Sequence, residues 1–250
     1  MSEHIDVQIA DQVATITLNR PEARNALTAR MLEDLAGAIS ESDQRADVNV
    51  LVITGSDPAF CAGLDLGEMA STGANFRPSK GRPWPLATKP LIGAINGAAI
   101  TGGLELALAC DFLVASERAR FGDTHTRVGI VPFWGMTVRL PQAVGLRYAK
   151  EMSFTGNLID ASEALRVGLV NRVVAHDDLL PVTMALAHDV ASADGGATQA
   201  ILAAYRRANE APDAFADEVA QAEDFLSSFD PLTIEDRRRA IMARNTRPGS

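Results

Sequence analysis

"NGAAITGGLELALACD", Asn96 to Asp111, sets three glycines and the carboxylate of Glu105 inside a largely apolar run that ends at Asp111. Gly97, Gly102 and Gly103 precede Glu105, which is followed by Leu, Ala and Cys. An ordinary core helix excludes such a carboxylate, because a buried charge without a partner is expensive. The uncharged run from Pro90 to Leu104 is also too short for a membrane span of about 20 residues, and Asn96 and the glycines interrupt it. Read instead as strand, turn and helix, the stretch puts Gly102 and Gly103 in the first helical turn. Backbone N–H groups there lack intrahelical partners and favour an oxygen carrying negative charge. Glycine lets a ligand approach that backbone closely, and Glu105, about one turn on, faces the same place. On these residues alone two readings stand. One is a pocket for an anionic oxygen beside a proton-handling carboxylate; the other is tight helix–strand packing with Glu105 in a structural ion pair.

Outward from this stretch the chain alternates strands and helices. "DVQIA" and "VATITLN" read as two strands joined at Asp11-Gln12. A helix begins near Thr28, with Leu32, Leu35 and Ile39 on one face. "VNVLVITG" and "KPLIGAIN" are buried strands, and "DFLVAS" and "ARFGD" are shorter ones. Between them "STGANFRPSKGRPWP" reads as a flexible surface loop. From about Leu140 the chain is mostly helical, broken by "GLVNRVV". The pattern is α/β with a helical C-terminal part, divided near residue 190.

The chain has 250 residues, 47% hydrophobic and 22% charged, which is the balance of a globular protein. Its net charge of −9 argues against nucleic-acid binding while leaving room for a small anionic ligand met by a few local cations. Cys61 and Cys110 lie in apolar runs and read as reduced residues of a cytoplasmic protein. The acidic N-terminus has no apolar signal core.

A second stretch, "DPAFCAGLDL", leaves the end of the strand "VLVITG", a usual place for a site. Peptide N–H groups from two such loops are the usual make-up of an oxyanion hole. "FCAGLDL" followed by "INGAAITGGLELALACDFLVAS" resembles the crotonase (enoyl-CoA hydratase/isomerase) superfamily, with its "AGxDL" and "NGxAxGGGxEL" hallmarks. "LNRPEARNAL", "ARFGDTHTRVGIVP" and "AKEMSFTGNLIDASEALRVGLVNRVV" extend the resemblance to about residue 175.

The resemblance implies the ClpP/crotonase-like α/β fold, repeated ββα units in a spiral core over residues 1–190. Residues 191–250 would form a C-terminal helical region that makes a homotrimer or homohexamer, with apolar Phe225, Leu226, Phe229 and Ile241 on its helices. It implies an enoyl-CoA hydratase that adds water to a 2-enoyl-CoA, with no nucleic acid, no membrane span, no metal and no cofactor beyond the coenzyme A of the substrate. Other enolate reactions (isomerisation, decarboxylation, thioester hydrolysis) and a non-catalytic acyl-CoA carrier are the alternatives.

Residue by residue, the oxyanion N–H groups fall at Leu64 and Gly102. The CoA contacts fall at Ala23, Arg24 and Ala26, at Ala62, Gly63, Leu64, Asp65 and Leu66, and at Gly102 and Gly103. Arg244 or Arg247 would either reach a CoA phosphate or belong to a solvated face, and Phe133 and Trp134 would either line the acyl pocket or pack against the C-terminal helices. Two positions depart from the family pattern. Thr101 stands where the family has glycine, and His125 stands where "FGxPE" has its second glutamate. With an ordinary pKa of about 6.5, histidine can accept or donate near neutrality, so Glu105 and His125 form the candidate catalytic pair. The plain alternative for His125 is the filling of a polar gap.

Overall fold

The computed structural model describes residues 3–72, 81–209, 212–227 and 236–240. Two sheets stack through a common core. The larger contains β1 (Ile5–Ala10), β2 (Val13–Leu18), β3 (Val50–Gly55), β5 (Leu91–Ile95), β7 (Phe112–Ser116) and β10 (Arg172–Val174), in that spatial order. Only the β1–β2 hairpin is antiparallel. Its turn, Asp11-Gln12, has φ of 47° and 66°, the left-handed pair whose twist matches a two-residue hairpin. The smaller sheet orders β4 (Ala59–Cys61), β6 (Ala98–Ile100), β8 (Arg120–Gly122) and β9 (Ile159–Asp160), the last antiparallel.

Each turn of the chain gives one strand to each sheet and then a helix. β3 and β4 lead to α2 (Leu66–Thr72), β5 and β6 to α3 (Gly102–Leu108), and β7 and β8 to α4 (His125–Val128). This is the repeated ββα spiral. Every residue of β3 and of β5 is buried, as parallel strands covered on both faces require. Alternate residues serve different partners. Leu51, Ile53, Leu91 and Ile95 join the main core between the sheets. Val50, Val52, Ile92 and Ala94 turn the other way, onto Leu179, Ala187 and Ala191 of α8 (Leu179–Ala191).

The first helix, α1 (Ala29–Gln44), starts where expected. The Thr28 hydroxyl accepts the Met31 N–H at 3.1 Å, a side-chain N-cap. Its deepest stripe is Met31, Leu35 and Ile39, and Leu32 packs half-buried at the edge of the same core. Between β8 and β10 run α5 (Met136–Val144), α6 (Leu146–Thr155) and α7 (Ala161–Arg166); α9 (Gly195–Asn209) and α10 (Pro212–Ser227) end the helical part.

One expectation needs correction. Of the Gly- and Pro-rich stretch from Ser71 to Pro85, residues 73–80 lie outside the described ones, and its last part is not a surface loop. Pro83 is buried and Trp84 enters the main core, because the large apolar area of an indole is gained only by burial.

Candidate active site

The two loops that the sequence marks lie side by side. The Ala62 N–H donates to Arg24 O at 3.0 Å, Leu27 N–H to Gly63 O at 2.8 Å, and Asp65 N–H to Leu27 O at 2.9 Å. Asn25, fully buried at φ 55°, locks this pair to the strand behind it. Its amide donates to Ser56 O and Ala59 O, and its carbonyl accepts the Arg20 N–H. Arg24, also left-handed at φ 52°, leaves its side chain exposed beside the loop. The Asp65 carboxylate is used within the fold. One oxygen accepts the Gly67 and Glu68 N–H groups at the start of α2, and the other takes Arg20 at 2.6 Å. Ala23, Ala26, Ala62 and Leu66 are half-buried along the same ridge.

The ladder turns the Leu64 N–H away from Leu27 and toward α3. Gly63, at φ +95°, passes so close that a Cβ there would lie 2.9 Å from Ile100 O and 3.5 Å from Gly102 N. From the other side, a Cβ on Gly102 would lie 3.6 Å from Leu64 N. Neither Leu64 nor Gly102 donates its N–H to any described residue. Buried peptide N–H groups are nearly always paired, so two adjacent unpaired ones mark a place for an acceptor oxygen. Gly103 has a different reason to be glycine. Its Cβ would lie 2.1 Å from Cys61 O, so any side chain would prise α3 off β4.

Beside these N–H groups stands a buried chain of three ionisable side chains. Glu105 is 1% exposed, and its Oε1 accepts the Trp134 N–H at 2.8 Å. Its Oε2 lies 3.6 Å from Nε2 of His125, and Nδ1 of His125 lies 2.6 Å from Asp123 Oδ1. That Asp123 oxygen also accepts the His125 backbone N–H at 3.1 Å. Burial pushes Glu105 up to about 7 against the opposing pull of His125, with Glu218 adding to the rise. Burial also works against a charged imidazole, but the hydrogen bond to Asp123 and the charge of Glu105 outweigh it and hold His125 above its ordinary value. Asp123 stays below the usual carboxylate range despite its burial, because it bonds His125.

Two further contacts brace the group. Thr101, at φ 54° in a region costly for a β-branched residue, meets the Thr124 hydroxyl through its own at 2.5 Å and accepts the Thr124 N–H at 3.2 Å. The threonine in place of glycine therefore ties the turn before Gly102 to the segment carrying His125. From α10, the buried Glu218 accepts the N–H groups of Gly135 at 2.5 Å and Thr137 at 2.7 Å, at the N-terminus of α5. Successive amides thus hold Glu105 and Glu218.

A profile of the family described as enoyl-CoA hydratase/isomerase matches residues 8–238. The chain belongs to that family. It is 41% identical to the Mycobacterium leprae protein named probable enoyl-CoA hydratase echA8, over 80% of this chain and 79% of that one. It is 38% identical to the crotonyl-CoA hydratase of Syntrophomonas wolfei, over 76% of each chain. Among solved structures, an enoyl-CoA hydratase from Mycobacterium avium superposes with a TM-score of 0.85 at 47% identity, covering 90% of this chain and 98% of that one.

Against the pattern of the enoyl-CoA hydratase/isomerase family, the structure gathers Leu64, Gly102, Glu105, His125 and Trp134 at one place. Trp134 and Phe133 are both buried, edge to face with ring centroids 5.0 Å apart, and the Trp134 ring lies against Gly102. Arg244 and Arg247 lie outside the described residues, as do Phe229, Ile241 and the side chain of Leu226; Phe225 is exposed. Sequence reasoning missed Asp123, Thr124 and Glu218. Asp123 had a signal, since an acid two residues before a histidine can reach back to its Nδ1. Glu218 had none, because nothing in sequence places the middle of α10 on the start of α5. A separate cavity of about 390 Å³ opens where β5 and β7 begin, lined by Trp84, Asp111, Arg139 and Tyr205 among others. There Asp111 is engaged by the Leu91 N–H and by Arg206.

Proposed function

We propose that this chain is an enoyl-CoA hydratase, converting a 2-enoyl-CoA into a 3-hydroxyacyl-CoA. The observation that carries this is the convergence of the unpaired N–H groups of Leu64 and Gly102 with the Glu105–His125 pair. The thioester oxygen sits between the two N–H groups, where preformed donors stabilise the enolate that develops. Glu105 Oε2 and His125 Nε2, 3.6 Å apart, are too far for a good mutual hydrogen bond but well spaced to hold one water together. Glu105 takes a proton from that water as its oxygen bonds C3, and the C2–C3 π pair moves onto the thioester. A proton delivered to C2 from the pair, with His125 holding the water or shuttling the proton, then completes the addition. A base with a pKa of about 7 suits this exchange at neutral pH.

Coenzyme A enters as part of the substrate, and the reaction needs no other cofactor. The backbone of residues 62–66 and the ridge from Ala23 to Ala26 hold its adenine and pantetheine, with Arg24 free to meet a phosphate. Residues 1–190 carry the acyl-CoA site and residues 191–250 make the assembly, a homotrimer or homohexamer. Support for assembly comes from α9, which has no fully buried residue and exposes Ile201 and Tyr205. The free Cys61 and Cys110 suit the reducing cytoplasm. No helix among the described residues is long and apolar enough to cross a membrane.

The test is incubation with 2-enoyl-, 3-enoyl-, 2-carboxyacyl- and saturated acyl-CoAs, with products identified by mass spectrometry. Gain of one water on the 2-enoyl thioester alone is the expected result. Double-bond migration, loss of carbon dioxide, release of free CoA, or binding without turnover would each replace the hydratase reading with the corresponding alternative.

A further inference from the structure

We infer that Asp123 is a positioning residue for the reaction, holding His125 by its Nδ1–H so that Nε2 faces Glu105 and is the nitrogen that gains and loses the reaction's proton. This rests on the hydratase reading for its catalytic consequence, though not for its geometry. Where the family pattern puts its second carboxylate, with two chemically alike oxygens, this chain has His125. An imidazole in the same place has two chemically distinct nitrogens, so something must decide which one faces the reaction.

Asp123 does so through one oxygen, Oδ1. It lies 2.6 Å from Nδ1 and 3.1 Å from the backbone nitrogen of His125, and both side chains are buried. An ionised carboxylate has no proton to give, so Nδ1 must carry the hydrogen. That leaves Nε2, on the opposite edge of the ring, to face Glu105 at 3.6 Å. The same charge steadies the imidazolium when Nε2 is protonated. The arrangement is the acid–histidine logic of the hydrolytic triads, in which the acid fixes the tautomer and is not itself protonated.

Other groups facing His125 are Glu105 on α3 and, further off, Glu218 on α10; Ser153 on α6 supports Asp123. Neither carboxylate reaches Nδ1. The negative charges of Glu105 and Glu218 favour the imidazolium without choosing between its nitrogens, which is the task left to Asp123.

The test compares Asp123→Asn and Asp123→Ala with wild type, reading turnover of a 2-enoyl-CoA and the titration of His125 by ¹⁵N NMR. Asn keeps an oxygen for Nδ1–H but loses the charge; Ala loses both. Turnover falls about 10²-fold or more in both variants while KM stays within about threefold, and the pH profile moves. In Asp123→Asn the His125 titration moves down by about one pH unit or more. An Asp123→Asn protein with wild-type turnover and an unmoved pH profile overturns the inference, and so does an unmoved His125 titration. If wild type hydrates nothing, the hydratase reading fails by itself. The NMR titration then still decides whether Asp123 controls the imidazole. Should Asp123→Ala fail to fold, Asp123→Asn decides alone.

Discussion

The fold keeps Glu105 close to half protonated at neutral pH, because burial lifts its pKa to about 7. Below that pH the proposed base is occupied, so kcat/KM falls about tenfold per pH unit on the acid side of 7, as a pH–rate profile will register. Stability moves the other way. In the unfolded chain Glu105 ionises near 4.5, so between about 4.5 and 7 the folded protein holds a proton that the unfolded chain has released. Its contribution is therefore greatest below pH 4.5 and is lost as pH rises through 7, up to about 3 kcal/mol. Glu105→Gln removes this dependence. Thermal unfolding will find the variant and wild type alike at pH 5 and the variant more stable at pH 8, while turnover drops about 10²–10⁴-fold. The special nature of Glu105 was legible from the sequence, because an apolar run with one carboxylate is a physical anomaly. Thr101 was legible only as a departure from a glycine pattern. Its left-handed φ and its bond to Thr124 depend on a segment more than twenty residues away.

At the scale of elements, α10 meets α5 through two side chains, Glu218 and Phe215. Glu218 satisfies two N–H groups at the α5 N-terminus, and Phe215, one turn earlier, lies between the guanidinium groups of Arg82 and Arg139 at 5.1 and 4.8 Å. Glu218→Ala strips the cap and costs about 1–2 kcal/mol of stability by denaturant titration. Because the amide of Trp134 immediately precedes those that Glu218 holds, turnover falls as well. Equal turnover in the variant and wild type would uncouple α10 from the site. Strands β1, β2, β3, β5, β7 and β8, with α1 and α3, were readable from local pattern, since β-branched runs and a Thr N-cap act over a few residues; β4, β6, β9 and β10, of two or three residues each, are too short to carry such a pattern. The burial of Trp84 and the docking of α10 were not, because both are contacts between distant segments.

On the scale of the whole molecule, the ββα spiral brings the loop after β4 against the start of α3 and sets His125 of the next turn beside them, and so makes one site from three successive turns. The helical end leaves apolar surface uncovered: Phe154 is 71% exposed, Tyr205 67% and Ile201 59%. Light scattering at micromolar concentration will give a mass of three or six chains, and substituting Tyr205 and Ile201 together by Lys and Glu will lower it. A monomer mass for wild type would remove assembly from the account. The central claim, that Glu105 and His125 add water to an enoyl thioester held by Leu64 and Gly102, is tested most directly with ¹⁸O-labelled water. Wild-type protein given but-2-enoyl-CoA should yield 3-hydroxybutyryl-CoA labelled at C3, and Glu105→Gln should bind the same thioester with little product. Wild-type protein that binds but-2-enoyl-CoA and leaves it unlabelled and unchanged would contradict the claim.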